Sequence, residues 1–138
     1  GFLAFVLDYG IMWLSRGQAQ NAADAGALAG AVARAFDPPD GATVQPSALA
    51  AAQANTVWNA APAVVIDPLY PCPTPFIGLT CVRYDVYRDA GHGNALPVVF
   101  GSVLGLTNQG VRATATAVVA SRRGVSPANR RTVPAMGA

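Results

Sequence analysis

Two cysteines are the residues whose type and spacing are most able to do chemistry together. Cys72 and Cys81 are the only cysteines, and eight residues lie between them. This spacing excludes a C-x-x-C redox pair and leaves two alternatives: buried thiols in a reducing compartment, or a disulfide in an oxidising one. His92 is the only histidine, and no carboxylate spacing joins it to the cysteines. We therefore expect no metal site.

Catalytic groups form no recognisable pattern. Ser102 lacks the context of a nucleophile elbow, His92 lies in a glycine-rich turn, and the seven acidic residues, all Asp, are dispersed. We expect no enzymatic activity, no cofactor, and an exposed turn position for His92.

Composition and charge exclude further classes. The 138 residues suffice for one domain, 52% are hydrophobic and 12% are charged, and the net charge is +2. Four of the nine arginines lie in the last 17 residues: Arg122, Arg123, Arg130 and Arg131. No basic helix or aromatic ladder accompanies them, so we expect no binding to nucleic acid.

The element that organises the chain is a helix predicted over residues 1–36. No proline interrupts these residues before Pro38, and at about 1.5 Å per residue the helix would be roughly 50 Å long. Its first half, residues 1–14, is apolar nearly all round, so either a membrane or other copies of the chain must surround it. With 14 residues it is shorter than the roughly 20 that a bilayer requires. Its large side chains are Phe2, Leu3, Phe5, Val6, Leu7, Ile11, Met12, Trp13 and Leu14.

The second half of this helix is rich in small residues. Ala22, Gly26 and Gly30 follow each other at four-residue spacing, so they share one face on which another backbone can come close. This face either packs on the sheet of its own domain or contacts a helix of another subunit.

A family resemblance rests on this helix. Asp8-Tyr9-Gly10, then Arg16, then the run QNAADAGALAG from Gln20 to Gly30 resemble the N-terminal pattern of TadE/TadG-like proteins of bacterial tight-adherence (Flp) pilus systems. Residues 82–119 also resemble the periplasmic region of that family, in which a strand, a short P-x-x-F helix and an A-T-A strand recur. We cannot align residues 37–81 with it.

The resemblance implies an α+β, pilin-like fold, in which a long N-terminal helix packs on a small antiparallel sheet. It implies a structural subunit of an extracellular filament that assembles with copies of itself, or a membrane-anchored accessory pseudopilin at the inner membrane with other pilus-assembly components. For an exported chain, the expectation for Cys72 and Cys81 is a disulfide. Family members carry further apolar sequence upstream, so we expect Gly1 to lie inside an apolar segment. Either that segment is cleaved before Gly1 during maturation, or the sequence simply starts at this point within it.

Asp8 is the one charged residue of the apolar half. An unpaired carboxylate is costly in apolar surroundings, so it needs a partner. In a pilus-like assembly the partner would be the ammonium group of Gly1 or the side chain of Arg16 from a neighbouring subunit. The alternative is a hydrogen bond to Tyr9 or Trp13.

The remaining chain divides into a globular α+β domain (37–121) and a basic tail (122–138). In the domain we predict a helix from Ser47 to about Asn59, packed through Leu49, Ala52, Val57 and Trp58. Strands are predicted over 63–66, 81–88 and 110–121, a rigid proline-rich loop over 67–80, a turn over 89–94 and a short helix over 97–106. The tail has almost no large apolar side chains, so we expect it to be disordered in an isolated subunit. It is either an extended arm whose arginines contact the Asp residues of an adjacent subunit, or a flexible linker without such contacts.

Overall fold

The computed structural model describes residues 1–36 and 42–119. Its elements, in chain order, are helix α1 (Phe2–Phe36), helix α2 (Val44–Ala54) and strands β1 (Ala63–Pro71), β2 (Thr80–Arg88) and β3 (Val111–Val119), with 3₁₀ turns at Ala90–His92 and Gly101–Leu104. The predicted tail and its arginines Arg122, Arg123, Arg130 and Arg131 lie outside the described residues. The division into three segments therefore stays a prediction.

The three strands form one antiparallel sheet in the order β1-β2-β3. Helix α1 packs across β2 and β3, and α2 packs against α1 and β1. The α+β, pilin-like architecture predicted from the sequence, a long N-terminal helix on a small antiparallel sheet, is confirmed.

The core lies between the alanine face of α1 and the inner face of the sheet. Strand alternation places Val82, Tyr84 and Val86 on that inner face, where all three are fully buried. They meet two groups of small side chains, one from α1 (Ala19, Ala22, Ala23 and Ala27) and one from α2 (Val44 and Ala48). Small residues let the long helix lie close to the sheet, which fixes its direction along the domain.

Helix α2 differs from its predicted bounds at both ends. It begins at Val44, so Pro46 lies in its first turn, where a missing N–H is tolerated. It ends at Ala54 because Asn55 is extended, and Trp58 and Asn59 have positive φ angles in a tight turn closed by Val57 and Ala60. The predicted helix to Asn59 was wrong, although Ala52 and Val57 are buried and Leu49 is partly buried.

Strand β1 is longer than predicted, and the segment 97–106 is less helical. β1 continues to Pro71 because its register with β2 shifts between Asp67 and Tyr70, and this bulge accommodates Pro68. Residues 97–106 contain only the 3₁₀ turn at Gly101–Leu104, which Gly105 ends at a φ of 79°. Valines and glycines in this segment both disfavour a regular helix. Strand β2 agrees with the prediction to within one residue at each end, and β3 begins one residue after its predicted start. The predicted last two residues of β3 lie outside the described residues.

Candidate functional site

The apolar first half of α1 is exposed in the described structure. Phe2 is 84% and Trp13 is 72% exposed, and Leu3, Phe5, Val6, Leu7 and Leu14 are exposed as well. Ile11 and Asp8 are partly buried. By contrast, the first buried residue of α1 is Ser15 and the last is Gly30. One helix therefore has an uncovered apolar half and a packed small-residue half.

Asp8 holds a segment of its own domain against the apolar half. Its Oδ1 accepts a hydrogen bond from the backbone N–H of Val99 (3.0 Å), and its Oδ2 accepts from Phe100 (3.2 Å) and Gly101 (2.7 Å). We call residues 97–106 the collar loop. The hydrogen bond predicted from Asp8 to Tyr9 or Trp13 was wrong, because backbone amides 91 to 93 residues along the chain satisfy the carboxylate. The partner predicted on a neighbouring subunit stays a prediction, although these amides already meet the need that motivated it.

These amides also set the charge state of Asp8. Partial burial by itself raises the pKa of this carboxyl group, but the three N–H donors outweigh burial and hold the pKa below its ordinary value. The ionised form is the one that the collar loop binds, so Asp8 stays an anion at neutral pH without a cationic partner.

An apolar cavity of about 360 Å³ lies between α1 and the collar loop. Its apolar lining comes from Phe5, Tyr9 and Met12 of α1 and from Phe100, Val103, Leu104 and Leu106. Gly101 permits this close approach, because a Cβ atom there would lie 2.7 Å from Cγ1 of Val98 and 3.3 Å from Oδ2 of Asp8. We call this cavity the apolar pocket.

The small-residue face of α1 packs within the chain. Ala22 is buried in the core; a Cβ atom at Gly26 would lie 3.1 Å from Cβ of Ala52, and one at Gly30 would overlap the hydroxyl group of Tyr84. Of the two alternatives for this face, packing on its own domain is the one that the structure contains. Burial raises the pKa of Tyr84 to about 12, and its hydroxyl group has no hydrogen-bond partner among the described residues.

The outer face of the sheet carries a charged cluster around Asp85. Arg83 and Arg112 form ion pairs with Asp85 at 3.2 and 2.9 Å, and Thr114, its cross-strand neighbour, donates a hydrogen bond to it. Partial burial raises the pKa of Asp85, but these three partners outweigh burial and lower it overall. Each arginine also lies over a tyrosine ring, Arg83 over Tyr70 and Arg112 over Tyr87. The sequence alone did not reveal this cluster, because the register that brings β2 and β3 together is not visible in either strand by itself.

Cys72 and Cys81 form the predicted disulfide, with Cα atoms 5.2 Å apart. The bond closes the loop between β1 and β2. His92 is exposed, as predicted, with its ring stacked on that of Tyr87 and its Nδ1 2.7 Å from Oδ1 of Asp89. Over the two described ranges, no three His, Cys or acidic side chains lie close enough together to hold a metal ion.

Fold and surface together define a pilin-like protein with an exposed apolar helix end and a disulfide-closed hairpin. The family model described as "Tad: Putative Flp pilus-assembly TadE/G-like" matches residues 1–33, which confirms the resemblance on the helix that carries it. Nothing among the curated proteins and nothing among the solved structures matches the chain.

The family match relates the chain to Tad pilus systems, which implies an exported or cell-surface protein associated with pilus-assembly components. Within residues 1–36 and 42–119, no helix combines the length and the apolar character that crossing a membrane requires.

Proposed function

We propose that this chain is a structural subunit of an extracellular pilus-like filament and polymerises with copies of itself through residues 2–14 of α1. The observation that carries the proposal is the contrast within one helix, whose second half is packed on the domain while its first half exposes large apolar side chains. Full burial of such side chains contributes roughly 1.5–3 kcal/mol each, so a contact that covers several of them would drive assembly. The role is structural, with no catalytic step.

The second candidate is a membrane-anchored accessory or minor pseudopilin of the Tad (Flp) assembly machine, with its domain in the periplasm. The family match supports this candidate as well as the first, because the description of that family concerns pilus assembly and both candidates belong to a pilus system. In this case residues 2–14 contact lipid or another component of the machine and not a copy of the chain.

Imaging of the purified protein by negative stain separates the two candidates. We expect filaments from the wild type and none from Leu14→Asp, because a carboxylate on the apolar surface opposes its burial. Leu28→Asp is the matched control: Leu28 lies on the same helix and is exposed, but it is outside the apolar half. We expect Leu28→Asp to form filaments.

Circular dichroism shows whether each variant keeps its fold. Filaments of Leu14→Asp at wild-type yield would contradict the proposal. Wild-type protein that stays in the membrane fraction and forms no filaments would favour the second candidate.

A further inference from the structure

The two sides of the apolar half of α1 differ. Phe5, Asp8, Tyr9 and Met12 face the collar loop and line the apolar pocket, and we call this the pocket side. Leu3, Leu7 and Leu14 follow at spacings of four and seven residues, so they share one face, and none of them lines the pocket. All three are exposed, and we call this the outer side.

No side chain on either side presents a charge that needs a partner. Asp8 is the only charged side chain between Phe2 and Ser15, and three amides of the collar loop satisfy it. A partner segment that occupies the pocket therefore needs no cationic side chain to pair with Asp8. A polar or charged occupant would lose hydrogen bonds to water, because the apolar side chains of the pocket cannot replace them. An apolar helix face has no such hydrogen bonds to lose.

The collar loop widens the apolar surface beyond the helix. Val103 is 85% and Leu104 is 78% exposed, although both line the pocket, so their outward atoms continue the surface of residues 2–14 onto the globular domain. The pocket is thus continuous with the surface through which the proposed filament assembles.

We infer that the apolar pocket of one copy receives the outer side of α1 (Leu3, Leu7 and Leu14) from the next copy. This inference rests on the proposed function and names the partner surface. The two contacting surfaces are different, so the contact is heterologous: each copy keeps one free surface of each kind, and the assembly continues unless the rotation closes it. Asp8 is a positioning residue here, because it holds the collar loop in place and touches no neighbour.

Two variants that each remove one surface test the inference. Leu7→Asp removes the outer side and leaves the pocket, whereas Val103→Asp removes the pocket and leaves the outer side. We expect each variant alone to sediment as a monomer, and an equimolar mixture to form a one-to-one heterodimer and nothing larger, since only one complementary pair of surfaces is intact. Leu28→Asp is the control and should assemble as the wild type does.

The outcomes separate the inference from the proposed function. If Val103→Asp assembles normally while Leu7→Asp does not, the pocket is not the partner surface, and the inference is overturned while the proposed function stands. Homodimers of Val103→Asp alone would also overturn it, because they would show that outer sides pair with each other. If Leu7→Asp assembles as the wild type does, the proposed function fails as well. Circular dichroism of each variant excludes unfolding as the cause, and Leu104→Asp replaces Val103→Asp if the latter does not fold.

Discussion

The two halves of α1 have the same backbone geometry and opposite surroundings. The alanine and glycine face of residues 19–30 is buried by the sheet and α2, whereas most of the large apolar side chains of residues 2–14 remain exposed. The size of the side chain explains the difference. Small residues bring the helix close to a three-stranded sheet, and that sheet is too small to cover the rest of a 35-residue helix. Stability of the domain and assembly of the chain should therefore respond to different substitutions.

Loss of the disulfide should have the largest effect on the packed region. Reduction, or Cys72→Ser with Cys81→Ser, should lower the free energy of unfolding by about 2–3 kcal/mol, because the open loop regains chain entropy in the unfolded state. Urea unfolding in the Leu7→Asp background measures this without a contribution from assembly. Labelling of free thiols in the native, unreduced protein would contradict the bond itself.

Gly30→Ala should destabilise the same region slightly less. The added methyl group overlaps the hydroxyl group of Tyr84, so the helix or the ring must shift, which costs about 1–3 kcal/mol. Gly17→Ala is the control, because no heavy atom lies within 4 Å of a Cβ atom there. We expect the control to stabilise the helix by up to about 1 kcal/mol. Equal unfolding midpoints for the two variants would show that α1 does not pack on Tyr84 as described.

Asp8→Asn should release the collar loop and leave the packed half unchanged. Because the pKa of Asp8 is lowered in the folded protein, the ionised carboxylate stabilises the fold above the ordinary aspartate pKa, and this contribution is lost as pH falls through the lower folded value. Hydrogen exchange of the backbone amides of Val99, Phe100 and Gly101 measures how firmly the carboxylate holds the collar loop. Wild-type protection should decrease on acidification, whereas the Asn variant should be poorly protected at both pH values. Strong protection in the variant would mean that the carboxylate does not hold the loop.

Tyr84→Phe should have the smallest effect. It removes a buried hydroxyl group that has no partner among the described residues, so we expect the free energy of unfolding to rise by about 1 kcal/mol or less. The pKa of Tyr84 is raised to about 12, so wild-type stability should fall as pH rises from the ordinary tyrosine range through that value. The Phe variant should lack this contribution to the pH dependence. A loss of stability in Tyr84→Phe would reveal a hydrogen bond of the hydroxyl group.

Local patterns predicted much of the fold. The absence of proline before Pro38 indicated one long helix, and alternation indicated β2 and β3, because a half-buried strand imposes a period of two on its own residues. The bulge that carries β1 past Pro68 depends on pairing with β2, which is not a local property. The short turns that end α2 and shape the collar loop were missed for the same reason.

The candidate site was only half predictable. The apolar side chains of residues 2–14 were evident from the sequence, and so was the need of Asp8 for a partner. The partner itself was not, because backbone amides donate at positions 99–101 whatever their side chains are, and no residue type marks them. The apolar pocket depends on that contact and was missed with it.

Amide hydrogen exchange along α1, in the assembled wild type and in monomeric Leu7→Asp, tests the division of this helix most directly. We expect residues 2–14 to be protected in the assembled protein and to exchange much faster in the variant, while residues 19–30 are equally protected in both. Equal exchange of residues 2–14 in the two samples would contradict this division, and so would a parallel loss of protection across the whole helix.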